Sequence, residues 1–374
     1  MRQSEMRERV RERVRVVFNH SLGETPSGWK SGNRAETVRG LFRRPKDALP
    51  SEWLKTTRTR PRPARLLLAL LLALVPVALH AQALDREAIY QKALPLYDYD
   101  AKQPLAVHLG ESRPLEGVRL LRFSYLSAHS QRVPALLFTP RRASAARPVP
   151  CLVLLHGLGG SKEVMAGLAL AAAQAGYASL AIDEYGQGER AASTHLPKTQ
   201  AEQLATGVRQ TVVDVRRSLD YLATRPEINS QRIGLAGISL GAIIGTVTAG
   251  VEPRIKATAL ISGGGDWGLI LKTLSANRAD VGGRSTAGIK GLDYGQVSAF
   301  LAPEDPLTFA PHVSPRALLM LHGRKDEVIV PQAAQELFDA AREPKEILWF
   351  APYGHVPPPE VVEPALRAFF GKRL

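Results

Sequence analysis

Cysteine is nearly absent from this chain of 374 residues: Cys151 is the only one. A lone thiol rules out an intramolecular disulfide, and it gives no disulfide framework as evidence of compartment. It opens the apolar run Cys151-Leu152-Val153-Leu154-Leu155, where it reads as a small buried hydrophobe rather than a nucleophile. The nine histidines are scattered and form no H-E-x-x-H pair, so no metal centre is expected. A nucleotide-binding glycine loop is also missing. Gly157-Leu158-Gly159-Gly160 lacks the G-x-G-x-x-G spacing, and Gly263-Gly264-Gly265 has no Lys-Ser/Thr after it. The chemistry expected here uses no cofactor.

A basic tract within the fold is lacking too, although the formal net charge is +14. Residues 1–83 hold 17 Lys+Arg against 7 Asp+Glu, a net of +10, and the remainder carries 32 against 28, a net of +4. Nothing in residues 84–374 forms a basic stripe, so no nucleic-acid partner is expected. No run is long enough to span a membrane: the apolar stretch 66–79 has 14 residues and contains Pro76, short of the roughly 20 required. Behind Arg58, Arg60, Arg62 and Arg65, and ahead of Ala81-Gln82-Ala83, it reads as a signal peptide at 58–83. Cleavage after Ala83 would leave an exported, periplasmic or secreted protein with no stable membrane insertion. Leu84 stands where a lipoprotein would need cysteine.

Residues 1–57 are unusual in front of such a signal. Arg43-Arg44 is followed by Pro45-Lys46-Asp47, unlike a twin-arginine leader. We read 1–57 as a basic extension outside the fold, with translation starting at a non-Met codon near Leu49 or Leu54. N-terminal sequencing of the native protein checks this, and a mature start upstream of residue 60 would contradict it.

Residues 84–374 read as one domain. A lead-in at 84–117 is expected to be mostly irregular or briefly helical. Strands follow at 118–126 and 131–139, joined by Ser127-Ala128-His129-Ser130. Further strands are expected at 151–155, 177–183, 257–262, 317–321 and 346–350, with one more running into Ser239. Leu204, Val208, Val212, Val215, Leu219 and Leu222 recur every three or four residues and predict a long helix that Pro226 stops. Strands alternating with helices predict an α/β architecture, a mostly parallel sheet covered on both faces. The glycine-rich stretch 263–306 interrupts this rhythm and reads as a substrate-facing cap.

The chain is organised around Gly237-Ile238-Ser239-Leu240-Gly241, which has an apolar strand before it and a small-residue helix after it. That is the context of a G-x-S-x-G elbow, in which a tight turn lifts a serine hydroxyl above the sheet. Serine becomes a nucleophile when an imidazole takes its proton and a carboxylate holds that imidazole. Ser239, Asp326 and His355 occur in the order Ser, acid, His, each after a predicted strand. Asp266, after the preceding strand, is the competing acid. The N–H groups of Leu158 and Leu240 are the candidate oxyanion donors. His156 reads as an anchor of its loop, and Asp183 as a brace for the loop after its own strand.

Together the Ser239 elbow, His156-Gly157, Gly186-Gln187-Gly188-Glu189, Gly323-Arg324-Lys325-Asp326 and Gly354-His355 resemble an α/β-hydrolase. The chain is most similar to the dienelactone-hydrolase and acetyl-xylan-esterase-like groups, from about residue 131 to the C-terminus. It departs from dienelactone hydrolases proper, whose nucleophile is cysteine. The resemblance implies hydrolysis of a small-molecule ester through an acyl-serine and leaves the ester unnamed. An acyltransferase or a peptidase could use the same triad. A silent binding protein would have lost a triad member, and none is lost. Nothing in the sequence speaks to oligomeric state.

Overall fold

The computed structural model describes residues 84–191, 200–277, 280–281, 284–285 and 293–374. The expected extension at 1–57 and the signal peptide expected at 58–83 lie outside them. None of the described helices is long and apolar enough to cross a membrane.

Nine strands form one sheet: β1 (His108–Leu115), β2 (Val118–Leu126), β3 (Arg132–Pro140), β4 (Val149–Leu155), β5 (Ala178–Ile182), β6 (Ile228–Ile238), β7 (Ile255–Ile261), β10 (Ala317–Gly323) and β11 (Lys345–Phe350). Two-residue strands β8 (Asp280–Val281) and β9 (Arg284–Ser285) pair separately. The order is β1-β2-β3-β5-β4-β6-β7-β10-β11. Pairing is antiparallel from β1 to β5 and parallel from β5 through β11. The parallel strands therefore deliver their carboxyl ends to one rim, where β4, β6, β10 and β11 hand the chain to His156, Ser239, Asp326 and His355.

Both faces of the sheet are covered, and alternation along each strand explains how. On β4, Cys151, Val153 and Leu155 join the core with Val208, Val212, Val215, Leu219, Ile243 and Ile244. Those partners lie on the helices Gln200–Ala223 and Leu240–Val251. The intervening Leu152 and Leu154 pack with Ala169 and Ala173 of the helix Ala166–Gln174, and with Leu366 and Phe370 of the helix Pro359–Arg373. Burying one such side chain stabilises the fold by about 1.5–3 kcal/mol, which is why these strands read as unbroken apolar runs. The long helix ends at Ala223, three residues before Pro226. Where a strand was expected, one is present, with ends that differ by a residue or two.

The lead-in contains a short helix, as expected, and corrects the sequence reading only by a strand. It holds the helix Arg86–Ala93, and then β1, an edge strand. Strand β1 is mostly exposed and carries Gly110 and Pro114, so no apolar alternation announces it. Tyr97, from the expected irregular part, is fully buried and donates its hydroxyl to the Pro303 carbonyl at 2.7 Å. Within the stretch 263–306, the helices Trp267–Asn277 and Tyr294–Phe300 bury Trp267, Ile270, Leu274 and Val297 in the main core.

Candidate active site

Ser239 follows β6 with φ 55° and ψ −117°, a conformation that L-residues adopt at a cost of order 1–3 kcal/mol. The neighbouring glycines make it attainable. A Cβ on Gly237 would lie 2.1 Å from the carbonyl oxygen of Gly241, and one on Gly241 would lie 2.5 Å from those of Leu155 and His156. The Ser239 N–H donates to the Ile261 carbonyl at 2.8 Å, tying the turn to β7. The helix Leu240–Val251 begins at the next residue, so its positive end faces the serine.

The sequence-predicted trio comes together. Ser239 Oγ lies 2.8 Å from His355 Nε2, across 116 residues of chain. His355 Nδ1 lies 3.0 and 2.9 Å from Asp326 Oδ1 and Oδ2. An acceptor at Nδ1 places the neutral ring's proton there and leaves the Nε2 lone pair facing the serine hydroxyl. Asp326 is buried, and its Oδ1 also accepts the N–H groups of Val328 and Ile329, each at 2.9 Å. The Ser262 hydroxyl donates to the His355 carbonyl and holds that loop over the β7 end. Asp266 is employed elsewhere. Its Oδ1 accepts from the N–H groups of Gly268 and Leu269 at 2.9 and 3.3 Å, and from Ser298 Oγ at 2.6 Å.

On the other flank of Ser239 runs the loop that follows β4. A Cβ on Gly157 would stand 3.4 Å from Ser239 Cβ, an ordinary van der Waals contact, so the loop backbone runs directly beside the serine. The N–H groups of Leu158 and Leu240 meet no partner among the described residues. His156 anchors the loop as expected. Its Nδ1 lies 2.8 Å from the Gly157 carbonyl and its Nε2 accepts the Glu184 N–H at 3.3 Å. Burial holds its pKa below the ordinary imidazole range, so it is a neutral strut.

Sequence reading missed the side chains that fix this loop from beneath. The Gly159 N–H donates to Gln187 Oε1 at 2.5 Å, and Gln187 Nε2 donates to Glu184 Oε2 at 3.0 Å. Glu184 is fully buried, and burial raises its pKa well above the usual carboxylate range. Lys162 Nζ lies 2.8 Å from Asp183 Oδ2, 2.5 Å from Glu189 Oε1 and 3.1 Å from Glu163 Oε1. Burial alone would lower the Lys162 pKa, but its bonds to Asp183 and Glu189 outweigh that and hold it above the ordinary range. Asp183 also accepts the N–H groups of Lys162 and Glu189, so it braces two loops and not one. The only signal was charged residues spaced along two glycine-rich loops. Cys151 is fully buried, its thiol pushed up by burial and far from thiolate character.

Comparison with known proteins follows this geometry. The profile of the dienelactone hydrolase family matches residues 133–356, a span that includes Ser239, Asp326 and His355. YtaP of Bacillus subtilis (strain 168) is 25% identical over 215 residues, which are 53% of this chain and 68% of that protein. Esterase YjfP of Escherichia coli (strain K12) is 24% identical over 197 residues, 52% of this chain and 76% of that one. Among solved structures, the acetyl xylan esterase from Paenibacillus sp. R4 superposes with a TM-score of 0.63 at 22% identity, covering 79% of this chain and 96% of its own. That likeness is one of fold, the α/β-hydrolase fold. With more than half of its length matched by the family profile, the chain belongs to the dienelactone hydrolase family, as a hydrolase with serine in the tight turn after β6.

Proposed function

We propose that the protein hydrolyses carboxylic esters of small molecules through an acyl-serine intermediate. The observation that carries this reading is the unbroken line Ser239 Oγ, His355 ring, Asp326 carboxylate, with contacts of 2.8 and 2.9 Å. His355 Nε2 takes the hydroxyl proton as Ser239 Oγ attacks the ester carbonyl carbon. The negative charge that develops on the carbonyl oxygen is met by the N–H groups of Leu158 and Leu240. Asp326 stabilises the imidazolium, which then gives its proton to the departing alcohol. Water, deprotonated by the same ring, attacks the acyl-serine and releases the acid. The Cys151 thiol has no part, and the residues of the triad need no metal or cofactor for these steps.

Small acyl groups are the proposed substrates, in keeping with the relatives named as an esterase and an acetyl xylan esterase. Export behind a signal at residues 58–83 would place the enzyme outside the cytoplasm. The test is hydrolysis of p-nitrophenyl acetate by the purified protein and by Ser239→Ala. The variant should lose about 1,000-fold or more in kcat while its circular dichroism stays unchanged. Equal activity in the two proteins would contradict the proposal.

A further inference from the structure

His322 lies on β10, near its carboxyl end, and takes no part in the steps above. Its side chain is fully buried. Nε2 lies 2.9 Å from the Ile329 carbonyl oxygen and 3.2 Å from Asp326 Oδ2. The hydrogen bond goes to the Ile329 carbonyl, which can only accept, so Nε2 carries the ring proton, with the Asp326 carboxylate lying beside it. Nδ1 is buried and meets no partner among the described residues, so a second proton there would have nothing to bond. Burial accordingly keeps the His322 pKa below the ordinary imidazole range. The ring is a neutral, fixed donor, and Trp349 packs against it edge to face at 5.4 Å.

Its acceptor Ile329 and its neighbour Asp326 belong to a single turn. Asp326 Oδ1 takes the Val328 and Ile329 N–H groups at 2.9 Å, and the Ile329 carbonyl comes back to His322 at 2.9 Å. The circuit closes where His322 Nε2 stands beside Asp326 Oδ2. His355 Nδ1 approaches the same carboxylate from the side of the serine. We propose that His322 is a positioning residue for Asp326: its Nε2–H holds the Ile329 carbonyl, and with it the turn whose Val328 and Ile329 N–H groups keep the carboxylate in the orientation that His355 requires. The proposal rests on the catalytic reading of Ser239, His355 and Asp326, and adds a fourth side chain that never touches substrate. A histidine that merely filled space beside Trp349 would act through its volume alone.

The experiment is a kinetic comparison on p-nitrophenyl acetate of wild type, His322→Leu, His322→Gln, Asp326→Asn and the double variant Asp326→Asn/His322→Leu, with Ser239→Ala alongside. His322→Leu should lower kcat about tenfold, with KM unchanged to within about twofold. His322→Gln, whose amide N–H reaches the place of Nε2, should recover most of that loss. In the Asp326→Asn background, His322→Leu should cost nothing further, because the group it positions is gone. Should His322→Leu fail to fold, His322→Asn replaces it, since its shorter amide falls short of the Ile329 carbonyl. Leu and Gln variants equal to each other, or losses that multiply in the double variant, would overturn the proposal. An activity that needs Ser239 and is indifferent to His322 overturns this inference alone, whereas activity retained by Ser239→Ala overturns the triad beneath it.

Discussion

Lys162 Nζ and Asp183 Oδ2 lie 2.8 Å apart, and neither side chain has any exposure to solvent. Lys162 belongs to the turn that leads out of the His156–Gly160 loop, and Asp183 follows β5. The pair therefore fastens the candidate oxyanion loop to the sheet, and Glu189 closes the clamp from a third segment. Removing the ammonium would leave the Asp183 carboxylate buried with no counter-charge, a defect that costs about 3–5 kcal/mol. Lys162→Met should show that loss in urea unfolding. Any variant protein that remains folded should have a lower kcat than wild type, because the loop beside Ser239 is no longer pinned.

The elbow predicts its own intolerance. A methyl group on Gly237 would meet backbone of Gly241 at 2.1 Å, with no flexible side chain to yield. Gly237→Ala should destabilise the protein by about 1–3 kcal/mol or prevent folding, which thermal unfolding measures. Gly167→Ala is the control: nothing lies within 4 Å of a Cβ at that exposed helical site, and the melting temperature should stay within about a degree or rise.

Asp326→Asn keeps shape and removes charge. The amide can no longer hold the His355 tautomer or stabilise the imidazolium, so kcat should fall by about 100- to 10,000-fold with KM little changed. Asp266→Asn alters the residue that the sequence left as an alternative acid. With its Oδ1 committed to Gly268, Leu269 and Ser298, that change should leave kcat within about threefold of wild type.

Glu304 predicts a pH dependence of stability. Burial raises its carboxyl from 4.5 to about 6, against the opposing pull of Arg209. Below about 4.5 the group is protonated in both folded and unfolded chains. Between 4.5 and 6 the unfolded chain has lost that proton and the folded chain keeps it, so stability falls as pH rises and levels off above about 6. Glu304→Gln removes this term. Its stability relative to wild type should therefore increase across the pH range 4.5–6 and stay constant beyond it, as chemical denaturation at a series of pH values would show.

Much of this architecture was legible because burial on both faces leaves unbroken apolar runs. β4, β7 and β10 are of that kind, and the residues after them or after their neighbours form the candidate site. Ser239, Asp326 and His355 could be placed since each comes at or soon after a strand end, in an order characteristic of one topology. β1 could not be read, because an exposed edge strand with Gly110 and Pro114 has no periodic signature. In the clamp Asp183 was legible as a brace for its own loop, whereas Lys162 and Glu189 were hidden for another reason. Charges on glycine-rich loops look solvated in a sequence, and only the fold shows that Lys162 is buried among three carboxylates. His322 was hidden likewise: four residues before Asp326 it resembles a strand-end histidine, and its role depends on a turn that bends Ile329 back to it.

The account stands on a hydroxyl activated by an imidazole 2.8 Å away. The most direct test is to treat the folded protein with a fluorophosphonate and to locate the adduct by peptide mass spectrometry. Stoichiometric phosphonylation of Ser239 that disappears in His355→Ala is the predicted result. Modification at another residue, or an unlabelled Ser239 in protein shown to be folded, would contradict it.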